Sequence, residues 1–237
     1  MTQESEQPAK SRPVRPRDAA SLIIIDRSGS EPRFLLGKRH EKHKFMPGKF
    51  VFPGGKTDAC DRKVIPARDI DPDCLQRLHA GLDRRRTNIK ARALALSAVR
   101  EAYEEAGILI GQSSPFRAFQ PEWLPFAERG LAPDLKPLRY VARAITPPQF
   151  PRRYDTRFFA TFRDLAIETD MRQHEDNEML DFSYASHEET TVMNLPGITR
   201  MVLKAVIDRL AVDPELNPGH PVPTYLTRRG KYVCEFA

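Results

Sequence analysis

The stretch Arg100-Glu101-Ala102-Tyr103-Glu104-Glu105-Ala106-Gly107-Ile108 crowds three carboxylates onto one short length of chain and closes on a glycine. Like charges at i and i+4 on a helix repel, and acids near a helix C-terminus also oppose its macrodipole. Such a set makes a poor solvated face, yet it is well suited to holding a hard divalent cation through oxygen ligands. Glu101, Glu104 and Glu105 are therefore the first candidates for metal-assisted chemistry. Arg100 is the residue whose planar fork can orient and charge-balance them.

The elements that must position these side chains follow from periodicity. Over residues 88–106, Ala95, Leu96, Val99, Ala102, Tyr103 and Ala106 recur at helical spacing, which predicts one buried stripe with the glutamates on the opposite face. Gly107 suits the left-handed position that ends such a helix. Upstream, residues 22–26 and 34–39 flank a turn-forming segment and read as a β-hairpin. Residues 49–52 form a third strand, broken by Pro53-Gly54-Gly55. A charged, proline-rich insertion follows, with a short helix over 73–82. Downstream, 116–130 reads as a helix interrupted by Pro121 and Pro125, and 139–145, 155–162 and 179–184 read as strands. A second long helix covers 195–212, and from residue 214 a proline-rich stretch reads as an irregular tail. Helices and strands so mixed predict an α/β fold.

Length and composition narrow the classes. With 237 residues the chain has room for one domain carrying insertions and tails. We expect a disordered tail over 1–17, the domain over 18–212 with its insertion at 62–90, and an extension over 213–237. The longest apolar run, residues 21–25, is far too short to span a bilayer, and the first seventeen residues lack the apolar segment of a secretory signal. Cys60, Cys74 and Cys234 form no metal-binding pair, which fits a reducing, cytoplasmic setting. The net charge of +6 is spread along the chain among acids, without the aromatic and basic signature of a nucleic-acid module, so an anionic small molecule is the expected partner.

Two separated segments together carry a resemblance. Gly55 with Asp61, followed by Arg100 to Ile108, resembles the Nudix box, G-x5-E-x7-R-E-U-x-E-E-x-G-U, with U aliphatic. Every fixed position of the second half matches. In the first half Asp61 stands where the family has Glu, and 38 residues, 62–99, separate it from Arg100 where the family has seven. The run FMPGKFVFPGG over 45–55, with RRYDTRFF over 152–159 and EMLDFSY over 178–184, is similar to the peroxisomal coenzyme A diphosphatase branch, whose members also interrupt the box.

The resemblance implies a Nudix-type α/β/α sandwich with a mixed sheet, and hydrolysis of a nucleoside diphosphate linked to a second moiety. It implies Mg²⁺ or Mn²⁺ as cofactor, held by Glu101, Glu104, Glu105 and the Gly55 carbonyl, with Arg100, Glu101 and Glu104 as the catalytic set. The substrate it implies is coenzyme A or an acyl derivative, split to 3′,5′-ADP and 4′-phosphopantetheine. An ADP-ribose or nucleotide-sugar diphosphatase, or an inactive Nudix-fold binding domain, are the alternatives. The C-terminus lacks the Ser-Lys-Leu address, so the branch's peroxisomal location is not expected to carry over. A homodimer is compatible with the resemblance, since family members are often dimers.

Other residues are candidates on charge and place alone. Arg39, Lys49 and Lys56 flank the site and could contact phosphates. The basic group of Arg84, Arg85, Arg86, Lys90 and Arg92 could receive a further phosphate, or be a solvated loop. Glu178 could supply a base or ligand, while Trp123 reads as packing.

Overall fold

The computed structural model describes residues 14–42, 46–82, 87–169 and 179–236. In chain order it contains β1 (Arg17–Asp26), β2 (Arg33–Arg39), β3 (Phe50–Val51), β4 (Gly54–Lys56), α1 (Pro72–Ala80) and α2 (Asn88–Ala106). There follow β5 (Ile108–Leu109), β6 (Gly111–Ser113), α3 (Leu124–Glu128), β7 (Leu131–Pro133), β8 (Arg139–Ile145) and β9 (Tyr154–Phe162). The chain ends with β10 (Ile167–Glu168), β11 (Met179–Ser186), α4 (His187–Val192), α5 (Gly197–Val212), β12 (Pro223–Arg228) and β13 (Lys231–Phe236). The expected tail, 1–17, lies outside the described residues up to 13, and Arg17 opens β1.

The unbroken apolar run of β1 is explained by the sheet it enters. Strands run in the order β11-β2-β1-β9-β8-β12-β13, with β3 on β2 and β4 on β1. β1 pairs parallel to β9, and β12 parallel to β8, while the hairpin β1–β2 and the pair β8–β9 are antiparallel. Both faces of this mixed sheet are covered. Leu22 and Ile24 pack with Leu94, Ala98 and Val99 of α2 on one side. Ile23 and Ile25 pack with Val202, Leu203 and Val206 of α5 on the other. Successive side chains of a strand point to opposite faces, so a strand buried between two helical layers must be apolar throughout. All four β1 residues are fully buried, and each contributes about 1.5–3 kcal/mol. The fold is an α/β/α sandwich.

α2 begins where Thr87 Oγ1 accepts the N–H of Lys90 at 3.1 Å, and ends where Gly107, at φ 63°, donates to the Tyr103 carbonyl at 2.9 Å. The expected single stripe is too narrow: Ala93, Leu94, Ser97 and Arg100 are buried as well. Elements on both sides of the helix in sequence cause this: the 3₁₀ turn at Cys60–Lys63, α1 of the insertion and the later turn at Pro121–Trp123 all lie against α2. Small side chains at Ala91, Ala93, Ala95, Ala98 and Ala102 let them approach.

Two further expectations need correction, and one helix adds to them. Within 116–130 the helix is confined to a 3₁₀ turn at Pro121–Trp123 and α3, each with proline in its first turn, where the missing N–H costs nothing. α4 was not anticipated, although Ser186 and Glu189 form a reciprocal capping box visible as S-x-x-E. The stretch after 214 is not wholly irregular. β12 and β13 form a hairpin on the sheet, with Arg228 paired to Lys231. Arg229 and Gly230, at φ 49° and 77°, supply the two positive-φ residues such a turn demands. No helix among the described residues is long and apolar enough to cross a membrane.

Candidate active site

Residues distant in sequence meet at the C-terminal half of α2. Arg100, only 5% exposed, sends Nε to Asp61 Oδ1 at 2.9 Å and Nη2 to Asp61 Oδ2 at 3.2 Å. Its Nη1 donates to Glu101 Oε1 and Glu104 Oε2, both at 2.8 Å, and Nη2 also reaches the Lys56 carbonyl at 3.1 Å. Asp61, fully buried, takes a further hydrogen bond from the Asp58 N–H at 2.8 Å. The chain between them thus folds so that Asp61 stands behind Arg100, and Arg100 holds two of the three glutamates.

The strand β4 supplies the third side. Its pairing sets Gly54 opposite Ser21 and Gly55 opposite Ala20, laying the Gly-Gly backbone beside α2. Gly54 N–H donates to Glu105 Oε2 at 2.8 Å. A Cβ on Gly55 would lie 2.5 Å from the Glu101 carboxyl carbon, so only glycine allows this approach without moving the carboxylate.

Electrostatically the group is short of positive charge. Burial pushes the Glu101 carboxyl up to about 6, with the Glu104 charge adding to the effect and Arg100 opposing it. Burial raises Glu104 as well. Burial disfavours the charge of Arg100, but its hydrogen bonds to Asp61 and the surrounding carboxylates hold its pKa above the ordinary value. Among the described residues no group of three or more His, Cys, Asp and Glu side chains is gathered closely enough to hold a metal ion as the side chains stand. Arg100 and the Gly54 N–H instead share the carboxylates between them. The donor set nevertheless fits a hard divalent cation: oxygen ligands only, raised carboxyls that a second positive charge would relieve, and a glycine backbone leaving room beside Glu101.

Glu101, Glu104, Glu105 and Gly55 all line one cleft of about 760 Å³. Arg39 and Lys56 line it too. Lys49 does not; its ammonium bonds Asn194 Oδ1 at 2.5 Å. Lys90 pairs with Asp18 and Arg92 with Asp69, and neither lines the cleft. Arg84, Arg85, Arg86 and Glu178 lie outside the described residues. Trp123 packs, fully buried, against Phe126. The cleft also takes in Arg152, Tyr154, Phe158, the first residues of α5, and Tyr232 of β13. Arg152 and Tyr154 fall in a segment singled out by resemblance, without a role; nothing in the sequence pointed to Tyr232.

No protein-family model matches the chain. It is 24% identical over 160 residues to "Putative nudix hydrolase 7" of Caenorhabditis elegans, a match covering 62% of this chain. The chain spans 45% of that relative's length. A solved structure of a NUDIX hydrolase from Alicyclobacillus acidocaldarius superposes with a TM-score of 0.63 at 25% identity, covering 82% of this chain and 92% of that one. The chain has the fold of that structure, and the two likenesses support its place in the Nudix hydrolase superfamily.

Proposed function

We propose that this chain is a divalent-metal-dependent hydrolase of diphosphates that link a nucleoside to a second moiety, with coenzyme A or acyl-CoA as substrate. The observation that carries the reading is the buried Asp61–Arg100 pair standing behind Glu101, Glu104 and Glu105 in a cleft lined by Arg39, Lys56 and Arg152. Mg²⁺ or Mn²⁺ would be held by Glu101, Glu104 and Glu105, with the Gly55 carbonyl beside them. A cation there supplies neutralising charge for the diphosphate oxygens. Arg39, Lys56 and Arg152 bind the phosphates from the cleft walls. Glu104, partly exposed to the cleft, is placed to take the proton of the attacking water, with Glu101 deeper beside it. Arg100 is a positioning residue, fixing both carboxylates by its Nη1.

The choice of coenzyme A is supported by the FMPG-x3-FPGG run and the interrupted motif rather than by the metal site, whose chemistry would serve any diphosphate. Mass-spectrometric analysis of products formed from coenzyme A, acyl-CoA, ADP-ribose and dinucleotides with Mg²⁺ or Mn²⁺ tests it. The expected products are 3′,5′-ADP and 4′-phosphopantetheine or its acyl form. Cleavage of ADP-ribose alone would overturn the coenzyme A assignment, and turnover of no compound would overturn the enzyme reading.

A further inference from the structure

The cleft is longer than diphosphate chemistry needs. β4, β1, β9, β8, β12 and β13 lie side by side in the sheet, so at about 4.8 Å per strand β4 and β13 stand roughly 24 Å apart. One continuous cleft nevertheless touches both, from Gly54 and Gly55 at one end to Tyr232 at the other. Its character changes along the way. The carboxylates and Lys56 belong to the β4 and α2 side, whereas Phe150, Tyr154, Ile198 and Tyr232, with Arg152 among them, line the part of the cleft formed by β9, α5 and β13.

Tyr232 is held in place rather than loosely attached. Its ring stacks on Tyr225 of the neighbouring strand, with centroids 6.4 Å apart and planes at 10°. Tyr225 is 6% exposed, packs in the α5-side core, and directs its hydroxyl to the Met201 carbonyl of α5 at 3.4 Å. The outer ring remains 47% exposed. A half-exposed aromatic ring, backed by a buried one and facing a cleft, is a pre-organised surface for an apolar group.

We infer that the hairpin β12–β13 is one wall of the substrate site, and that Tyr232 is a specificity residue holding the apolar arm of an extended diphosphate substrate. The inference rests on the diphosphatase reading for the identity of the other end of the substrate. The arm fits by chemistry and by reach: a compact nucleotide seated at the glutamates would leave the β13 end empty, whereas a diphosphate carrying a long chain with an apolar terminus fills it.

The test is binding by isothermal titration calorimetry, with divalent metal chelated so that no ligand is consumed, using ADP, free coenzyme A, acetyl-CoA and octanoyl-CoA. In the unaltered protein octanoyl-CoA is expected to bind about tenfold tighter than free coenzyme A. Tyr232→Ala should reduce that ratio to within about threefold and leave ADP binding unchanged, while Tyr232→Phe retains the full preference. A preference for the longer acyl chain that survives in Tyr232→Ala overturns the inference, as does equal affinity for all four ligands. Equal weakening of every ligand in Tyr232→Ala also overturns it, by placing the ring against the nucleotide. Chain-length-dependent binding without hydrolysis in metal would sustain the inference while refuting the enzyme reading, and hydrolysis without chain-length dependence would do the reverse.

Discussion

Asp61 ties the chain before α2 to the buried Arg100 within that helix. It is fully buried, and among the described residues its side-chain counter-charge is Arg100, which it meets through both oxygens. Asp61→Ala would leave the guanidinium buried with Nε unpartnered, so a loss of about 3 kcal/mol is expected in urea unfolding. A loss under about 1 kcal/mol would show that Glu101 and Glu104 suffice to hold Arg100. The glutamates should behave in the opposite way. Glutamine at 105 can still accept the Gly54 N–H, so Glu105→Gln should leave the circular dichroism spectrum unchanged while lowering kcat by about 10² or more; near-normal turnover would remove Glu105 from the metal set. A third residue gives a pH test away from the site. Asp26 accepts the Ser28 N–H at 2.9 Å and Arg163 Nη1 at 2.6 Å, and these bonds hold its carboxyl down at about 2. A depressed folded-state pKa gives stability that is present above the unfolded value of about 3.9 and lost as pH falls through about 2. The unaltered protein should therefore outlast Asp26→Asn in urea at pH 5, with the gap closing toward pH 2; a gap independent of pH would contradict the assignment.

At the scale of elements, glycines divide into those that serve the fold and those that serve the site. A Cβ on Gly54 would fall 2.5 Å from the Ala20 carbonyl, backbone that cannot yield, whereas on Gly55 it would meet the movable end of Glu101. Gly54→Ala should therefore lower the melting temperature, while Gly55→Ala should mainly lower activity by displacing Glu101. Equal loss of melting temperature in both would show that Gly55 serves the fold instead. This contrast also marks what the sequence made legible. The glutamate turn, Gly55, Arg100 and the limits of α2 could be read because caps, charge spacing and glycine are local signals. The Asp61–Arg100 contact could not, since it depends on the insertion at 62–90 folding back beside α2. Lys49 looked like Arg39 and Lys56 in sequence, but strand geometry sends its ammonium to Asn194. The hairpin β12–β13 was hidden by the prolines before it, and only the positive φ of Arg229 and Gly230 makes the turn.

In the whole molecule the site lies at the seam between two cores that share β1. Leu22 and Ile24 belong to the α2-side core, and Ile23 and Ile25 to the α5-side core, so neither can open without disturbing the strand that β4 pairs with. The far side of the insertion is tied to the same sheet. Arg157, 1% exposed, reaches Asp18 at 3.1 Å and the Gly81 carbonyl at 3.3 Å, while Lys90 of α2 also meets Asp18 at 3.3 Å. A ligand held by the glutamates of α2 and the backbone of β4 should therefore stabilise both cores at once. Because binding to the folded state alone adds about 2.7 kcal/mol at a hundred times Kd, Mn²⁺ at that excess should raise the melting temperature by roughly 5–10 °C. Trp123, the one tryptophan, sits fully buried in the α2-side core, so its fluorescence reports that layer while far-ultraviolet circular dichroism reports the whole sheet. Both transitions should coincide and shift together with Mn²⁺, and the shift should fall sharply in Glu105→Gln. A fluorescence transition that moves alone would mean that the layers unfold separately. No shift in either would mean that the glutamates do not hold the metal.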